Sequence, residues 1–272
     1  MDIVTAFVDI GRGNWTHNPH GKKCPEYIPR SVDTYIERFT RMCELENPIF
    51  CYLDPEFLDK NQDRLPKKDN VTYRDGSVIY DQFREEYLEK IQKVFDSSYW
   101  NYHFKNDPMP ERWNAEYILI NFLKSAFTTD HSMVLSQTLA YTQARPPKEI
   151  AWLDFGYFRT GPKVKRVEEK LNGDKMVFFT NGPKINGDVV MSHTPVELIH
   201  TGDVLLQGCH IFGTSYAHSI WQYDMIEAME SLLSIGLVDD DQTLLAMAYR
   251  NNPSNYVLRP NSNTDWFRIF SK

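Results

Sequence analysis

IVTAFVDIG, residues 3–11, is a short apolar run rich in β-branched residues that ends at a glycine. Such a run predicts a buried strand. Apolar residues at helical spacing follow over residues 32–43, with Ser31 as a candidate cap, and a second apolar run, IFCYLD, occupies residues 49–54. Strand, helix and strand in this order predict a parallel pair joined by a right-handed crossover, which favours an α/β fold.

The rest of the chain repeats this alternation. Periodicity predicts helices over residues 83–95, 111–127 and 219–235 and from residue 239 onward, and strands at residues 71–73, 149–156, 175–181 and 256–260. The helix over residues 111–127 is apolar on most sides, so Lys124 within it either reaches the surface or contacts a ligand. We find no internal repeat and no linker, and therefore expect one domain, residues 1–272.

The composition of the chain limits which classes of function are possible. The net charge is -7, which argues against nucleic-acid binding, although one local basic pocket would suffice for a small anionic ligand. The aromatic share of 14% favours either a ring-binding pocket or an aromatic core.

The four cysteines form no C-x-x-C pair and indicate free thiols. His17, His20 and Cys24 share a loop, which we interpret as a plain loop rather than a zinc site. We find no signal peptide and no transmembrane segment, and expect a cytoplasmic protein.

Three carboxylates fall at the ends of predicted strands: Asp9, Asp54 and Asp154. In open α/β sheets, ligands bind at the carboxyl ends of the strands, where a carboxylate can hold a cation or a ribose hydroxyl. Gly156 would let a phosphate or sugar approach the backbone closely. Alternatively, Asp154 caps the turn that follows it.

Two further segments could border such a crevice. QGCHIFGTS, residues 207–215, predicts turns at Gly208 and Gly213, which would either expose backbone amides to a ligand or form a tight corner between a strand and a helix. DDDQ, residues 239–242, opens a helix with more acids than a cap requires. Because adjacent carboxylates raise one another's pKa, one of them could serve as a general base.

These segments together resemble a known family. VTAFVDIGRGNW (residues 4–15), NPIFCYLD (47–54), WLDFGY (152–157), QGCHIFGTS (207–215) and GLVDDDQTLLAMAYRNNP (236–253) look like the HtrL/YibB family, over residues 3 to about 258. That family is associated with bacterial loci for lipopolysaccharide core and related glycans, and its pattern resembles glycosyltransferases of the A-type fold. The resemblance implies one Rossmann-like α/β domain with a mixed, mostly parallel central sheet flanked by helices.

The resemblance also implies an enzyme, a glycosyltransferase with two partners: a nucleotide diphosphate sugar as donor and a glycan acceptor of lipopolysaccharide, cell-surface or capsid type. It implies a nucleotide-binding half, residues 1–155, and an acceptor and donor-sugar half, residues 156–272. It implies work in the cytoplasm or at the surface of a membrane-bound glycan assembly system. The implied contacts with the donor are Thr5, Ala6, Phe7, Arg12, Asp54, Lys124, Asp154, Gly156, Gly208, His210 and Gly213.

Asp154 would take the place of the metal-binding D-x-D element and hold Mn²⁺ or Mg²⁺. This sequence has one acid there, so a metal-free site that relies on Arg12, Lys124 and helix amides stays open. In an inverting transfer Asp241, or next Asp240, would be the general base. His210 is either a contact with the donor or a structural histidine, and we weigh the two equally. Trp15 and Trp221 either stack on sugar rings or belong to the core.

Two other functions remain to be weighed. One is a catalytically inactive protein that binds a nucleotide sugar or carbohydrate on the same scaffold, which the single acid at Asp154 motivates. The other is a phosphate-ester hydrolase with an aspartate nucleophile. Asp9 and Gly11 are followed by Arg12 rather than a second aspartate, which speaks against this hydrolase.

Overall fold

Seven strands form one sheet in the computed structural model, which describes residues 1–142, 149–261 and 266–270, without the side chains of residues 137–142 and 268. The strands are β1 Asp2–Phe7, β2 Ile49–Leu53, β3 Val71–Asp75, β4 Ile150–Leu153, β5 Met176–Thr180, β6 Leu206–Gly213 and β7 Tyr256–Pro260. Their order is β3-β2-β1-β4-β6-β5-β7, and of these seven only β6 runs against the others. The predicted α/β fold with a mixed, mostly parallel sheet is confirmed.

Helices cover both faces of this sheet because side chains alternate along each strand. Ile3 and Phe7 of β1 pack into one core with the first helix, whereas Val4 joins a second core on the opposite face. The helices are α1 Val32–Met42, α2 Pro55–Asn61, α3 Ser77–Phe95, α4 Ser98–Phe104, α5 Ala115–Phe122, α6 Lys124–Thr142, α7 Gly187–Ser192, α8 Pro195–Thr201, α9 Ser215–Ser234 and α10 Asp241–Asn251. The arrangement is that of a single Rossmann-like domain.

The predicted opening of the chain is confirmed in detail. β1 pairs with β2 in parallel, with Ile3 opposite Ile49. The Ser31 hydroxyl accepts a hydrogen bond from the Thr34 amide and so caps α1. The sequence did not predict α2: the Asp54 carboxylate, which was singled out as a ligand contact, accepts a hydrogen bond from the Phe57 amide at 3.0 Å and caps this helix.

The continuous helix predicted over residues 111–127 is wrong. A short 3-10 helix at Pro110–Arg112 ends at Trp113, and Asn114 then caps α5 by accepting a hydrogen bond from the Tyr117 amide. α5 stops at Phe122, and Lys124 is the first residue of α6. Apolar periodicity runs through these breaks because each piece buries its own face against the same core.

The turns predicted at Gly208 and Gly213 are also wrong, because both glycines lie within β6. Each makes room for a side chain: a Cβ at Gly208 would overlap the Asp241 carboxylate, and one at Gly213 would overlap the Met176 sulfur. These glycines therefore mark close packing against a strand rather than a change of chain direction.

The strand order places a crevice at β1. The chain runs from β1 outward through β2 to β3 and then crosses back to β4 on the other side of β1, so the strand order reverses here and the carboxyl ends of β1 and β4 border a gap. β6 runs antiparallel to β4, with His210 opposite Leu153, so its first half lies at the same edge of the sheet. In the parts of the chain that the structure describes, no helix is long and apolar enough to cross a bilayer.

Candidate functional site

A cavity of about 440 Å³ opens at this gap between β1 and β4. Residues that follow β1, residues that follow β4, the first half of β6, the α5–α6 junction and the start of α10 all line it. The structure thereby brings together residues singled out in the sequence: Ala6, Phe7, Arg12, Lys124, Asp154, Gly156, Gly208 and Asp241. They come from five separate segments of the chain.

The Lys124 ammonium stands at the centre of this group. Its Nζ donates to the Asp241 carboxylate at 2.7 Å and to the Gly208 carbonyl at 3.0 Å, and lies 3.0 Å from Oδ1 of Asp154. The residue is 5% exposed. Burial disfavours the charged form, but the Asp154 and Asp241 carboxylates outweigh it and raise the pKa of Lys124 above its usual value. Lys124 is therefore a buried, permanently charged contact, not a side chain that reaches the surface.

The Asp154 carboxylate faces the cavity rather than the turn that follows it. Its side chain is 33% exposed, and Oδ1 also accepts a hydrogen bond from the Trp152 indole at 2.8 Å. The turn itself is closed by the backbone, since the Tyr157 amide donates to the Asp154 carbonyl. The capping interpretation of this carboxylate is therefore wrong.

The three aspartates at the start of α10 have three different partners. Asp239 accepts from buried Arg112 at 3.1 Å and from the Thr243 hydroxyl at 2.7 Å. Asp240 caps α10 through the Gln242 amide, at 3.1 Å. Asp241 is the one that lines the cavity and binds Lys124.

Asp240 and Asp241 are both buried, but the charged neighbours that affect Asp240 most are all carboxylates. Its pKa is raised well above the usual value by burial, and further by the adjacent carboxylates of Asp241 and Asp239. Burial also raises the pKa of Asp241, but the Lys124 ammonium within hydrogen-bond distance opposes that rise and favours the ionised carboxylate. Of these two aspartates, Asp241 is the one that both lines the cavity and has a neighbouring cation.

Arg12 and a set of aromatic rings give the cavity its other features. The Arg12 Nε donates to the Ile28 carbonyl at 2.9 Å, and the guanidinium lies 5.4 Å from the centre of the Tyr117 ring. The remaining aromatic lining is Tyr27, Tyr35, Phe127, Trp152, Phe155, Trp266 and Phe267. Flat faces beside a fixed cation suit a ligand that combines rings with negative charge.

Several residues implied by the resemblance lie elsewhere. Asp54 borders a neighbouring cavity of about 460 Å³, which shares Phe7 and Phe127 with the first. Thr5 is fully buried in β1, and Gly213 lies opposite Ile150, at the far edge of the sheet.

The His210 ring is fully buried among aromatic side chains and does not line the cavity. Burial, and next the Lys124 charge, lower its pKa to about 3, so the ring is neutral. His210 therefore fits the interpretation as a structural histidine rather than a contact with the donor. Trp221 is likewise fully buried, and Trp15 packs against Trp113 with ring centres 5.2 Å apart, so both are core residues.

Sequence patterns missed part of the lining. Tyr35 comes from the first turn of α1, and its ring lies 3.0 Å from where a Cβ on Gly156 would stand. Arg30 and Arg159 also line the cavity. Arg159 follows the WLDFGY segment by two residues, so its nearness to Asp154 in the chain was the one available signal.

The contacts of Asp154 do not suit a divalent cation. An ammonium has three N–H donors, and Asp154, Asp241 and the Gly208 carbonyl together occupy the Lys124 ammonium. The lysine thus already lies between the two carboxylates that a cation would bridge. Mn²⁺ or Mg²⁺ needs about six oxygen ligands, and the described residues hold no group of three or more metal-ligating side chains.

The fold and the site together define an α/β protein of Rossmann-like architecture with a charged crevice at the point where its strand order reverses. A family model described as "Bacterial protein of unknown function (HtrL_YibB)" matches residues 1–272. The protein named Protein HtrL from Escherichia coli (strain K12) is 31% identical over 278 residues, covering 98% of this chain and 90% of that protein. The chain belongs to the HtrL/YibB family.

The four cysteines are free, as the sequence predicted, and the structure shows that all four are buried. In the loop considered for zinc, the Cys24 thiol donates to the Pro108 carbonyl at 3.3 Å, whereas His17 and His20 are exposed. The loop packs through its cysteine rather than gathering its three candidate ligands.

Proposed function

We propose that the protein is a glycosyltransferase, which moves a sugar from a nucleotide diphosphate sugar to a hydroxyl group of a glycan acceptor. The observation that carries this proposal is the meeting of Asp154, Gly208 and Asp241 around Lys124 in one cavity at the carboxyl edge of the sheet. Open α/β sheets bind nucleotides at this edge.

The size and lining of the cavity support a donor of this kind. About 440 Å³ is within the usual range for small-molecule sites, roughly 300–1,000 Å³. Aromatic rings offer faces for a base or a sugar, and Arg12, Arg30 and Arg159 offer positive charge for phosphates. The adjoining cavity at Asp54 would receive the base or ribose, since a donor can extend past Phe7 from one cavity to the other.

The chemistry then assigns a role to Asp241. As the acceptor oxygen attacks the anomeric carbon, its proton passes to the Asp241 carboxylate. The bond between the anomeric carbon and the diphosphate oxygen breaks, and its electron pair leaves with the nucleoside diphosphate. The arginines around the cavity would stabilise that negative charge. Lys124 holds the base in place, because its ammonium fixes one carboxylate oxygen.

The test uses a panel of nucleotide diphosphate sugars that differ in base and sugar. We expect at least one to raise the melting temperature and to be slowly hydrolysed, which would release the nucleoside diphosphate. If no nucleotide sugar and no nucleoside diphosphate gives a thermal shift or calorimetric heat, with or without Mn²⁺, the proposal fails. Phosphate release from simple phosphate esters would instead support the hydrolase.

One observation favours the alternative of a binding protein without catalytic activity. The Asp241 side chain is 3% exposed and is already bound by Lys124, which limits the approach of an acceptor. Donor binding without any hydrolysis or transfer would support this alternative over the enzyme.

A further inference from the structure

We propose that Arg30, Arg38 and Arg159 form a subsite that holds the diphosphate of the donor without a divalent cation, and that Lys124 occupies the place between Asp154 and Asp241 where such a cation would bind. This inference rests on the proposed function and specifies how the donor is bound. It comes from three features of the described residues: the contacts of Lys124, an arginine group beside the cavity, and the close packing at Gly156.

Lys124 cannot supply the charge that a diphosphate needs. Its single positive charge lies against the carboxylates of Asp154 and Asp241, so the three groups together carry a net negative charge. A diphosphate brought to this cluster alone would be repelled. The cations that neutralise it must therefore come from another part of the cavity lining.

Arginines lie beside the cavity, away from the Lys124 cluster. Arg30 and Arg159 line the cavity, and Arg38 of α1 lies close enough for both charges to act on its guanidinium. After burial, these two charges are the largest influences that lower the pKa of Arg38, to about 10. The positive charges of these arginines repel one another, and an anion bound between them would offset that repulsion.

Arg38 also has an unused donor. Its Nη1 is buried and finds no hydrogen-bond acceptor in the parts of the chain that the structure describes. In the same described residues, Arg41 pairs with Glu37 and Arg64 with Asp33, whereas neither Arg30 nor Arg38 has a carboxylate partner. Buried donors are nearly always satisfied, so this Nη1 indicates a missing acceptor such as a phosphate oxygen.

Gly156 brings this group to the end of β4. A Cβ there would stand 3.0 Å from the Tyr35 ring and 3.8 Å from Cδ of Arg38. The absence of a side chain lets α1 pack against the residues that follow Asp154. Arg30 and Arg159 border the same cavity as the Lys124 cluster, with Arg38 packed beside them, so a diphosphate can lie against the arginines while its sugar faces Asp241.

The experiment measures the binding of inorganic pyrophosphate by calorimetry, in EDTA and again with excess MgCl₂. We expect binding in EDTA that MgCl₂ does not tighten. Arg30→Ala and Arg38→Ala should each weaken it by at least about tenfold, the effect of losing one charge-assisted hydrogen bond. Arg38→Lys should weaken it less. Arg64→Ala removes an arginine that is paired with Asp33 outside the cavity and should leave binding unchanged.

The outcomes separate this inference from the proposed function. Pyrophosphate binding that requires MgCl₂, or that survives both arginine-to-alanine changes, overturns the inference and leaves the transferase proposal standing. Metal-free binding that both changes weaken supports the inference even if no donor sugar is turned over. Circular dichroism of each variant shows that the fold is kept, and Arg30, which is only half-buried, provides a second variant should Arg38→Ala unfold.

Discussion

The Lys124 ammonium lies 2.7 Å from Oδ2 of Asp241, although 117 positions separate the two residues in the chain. This contact joins the start of α6 to the start of α10 across the edge of the sheet. It also holds the two segments that carry the site's charge next to β6, whose Gly208 carbonyl accepts from the same ammonium.

Lys124→Met should destabilise the protein strongly. The change keeps most of the side-chain volume but leaves Asp241 buried without its cation, which costs about 3–5 kcal/mol. Urea unfolding measures this cost. Lys90→Met removes an exposed lysine that pairs with Glu230 and should cost less than about 1 kcal/mol. If both variants lost the same free energy of unfolding, the buried contact would contribute no more to stability than an exposed ion pair, which would contradict the prediction.

Gly208→Ala should disrupt the same contact from the strand. The added methyl would overlap the Asp241 carboxylate, so either the strand or α10 must shift, at a cost of about 1–3 kcal/mol. Gly161→Ala is the matched control, because its Cβ would meet only Glu44, at an ordinary 3.7 Å. A Gly208→Ala variant as stable as Gly161→Ala would contradict the packing described for β6.

Asp154→Asn should abolish sugar transfer and change the free energy of unfolding by no more than about 1 kcal/mol. The side chain is partly exposed, and Lys124 keeps Asp241 as its partner, so little stability depends on this charge. The measurement compares nucleoside diphosphate release with the melting temperature. Asp63→Asn, a change at an exposed carboxylate, should leave both unchanged. Full activity in Asp154→Asn would remove this residue from the site.

Asp241→Asn and Asp240→Asn should differ in activity. Loss of a general base lowers the rate by on the order of 10²–10⁴-fold, which we expect for Asp241. Asparagine caps a helix as well as aspartate does, so Asp240→Asn should keep α10 and most of the activity. Rates of donor turnover under saturating donor give the comparison. The reverse result would transfer the role of base to Asp240.

Stability should fall on acidification partly because of His210. Burial lowers its folded pKa to about 3, whereas an unfolded histidine titrates near 6.5. The unfolded chain therefore binds more protons between these values, and the stability that is present above about pH 6.5 declines by roughly 1.4 kcal/mol per pH unit below it. His210→Phe should flatten this dependence, measured by urea unfolding from pH 7 to 4. His17→Gln, a change at an exposed ring, is the control, and parallel curves for wild type and His210→Phe would contradict the prediction.

Local patterns determined most of the fold. Apolar runs predicted β1 and β2, and helical spacing after Ser31 predicted α1. These predictions succeeded because the periodicity of a strand or a helix is visible within a few neighbouring residues. The pattern failed where packing overrides it. The break before Asn114 and the glycine inside β6 at Gly208 both depend on which distant side chain lies against them.

The site was only partly accessible from the sequence. The sequence by itself determined which groups were available: the acid that ends β4, the lysine in an apolar segment and the three acids before α10. Only the tertiary structure decided that Asp154 and Asp241 share Lys124, that Nη1 of Arg38 has no acceptor among the described residues, and that His210 is buried. The physical reason is that strand order and register bring together residues that are more than a hundred positions apart, and no local periodicity encodes those distances.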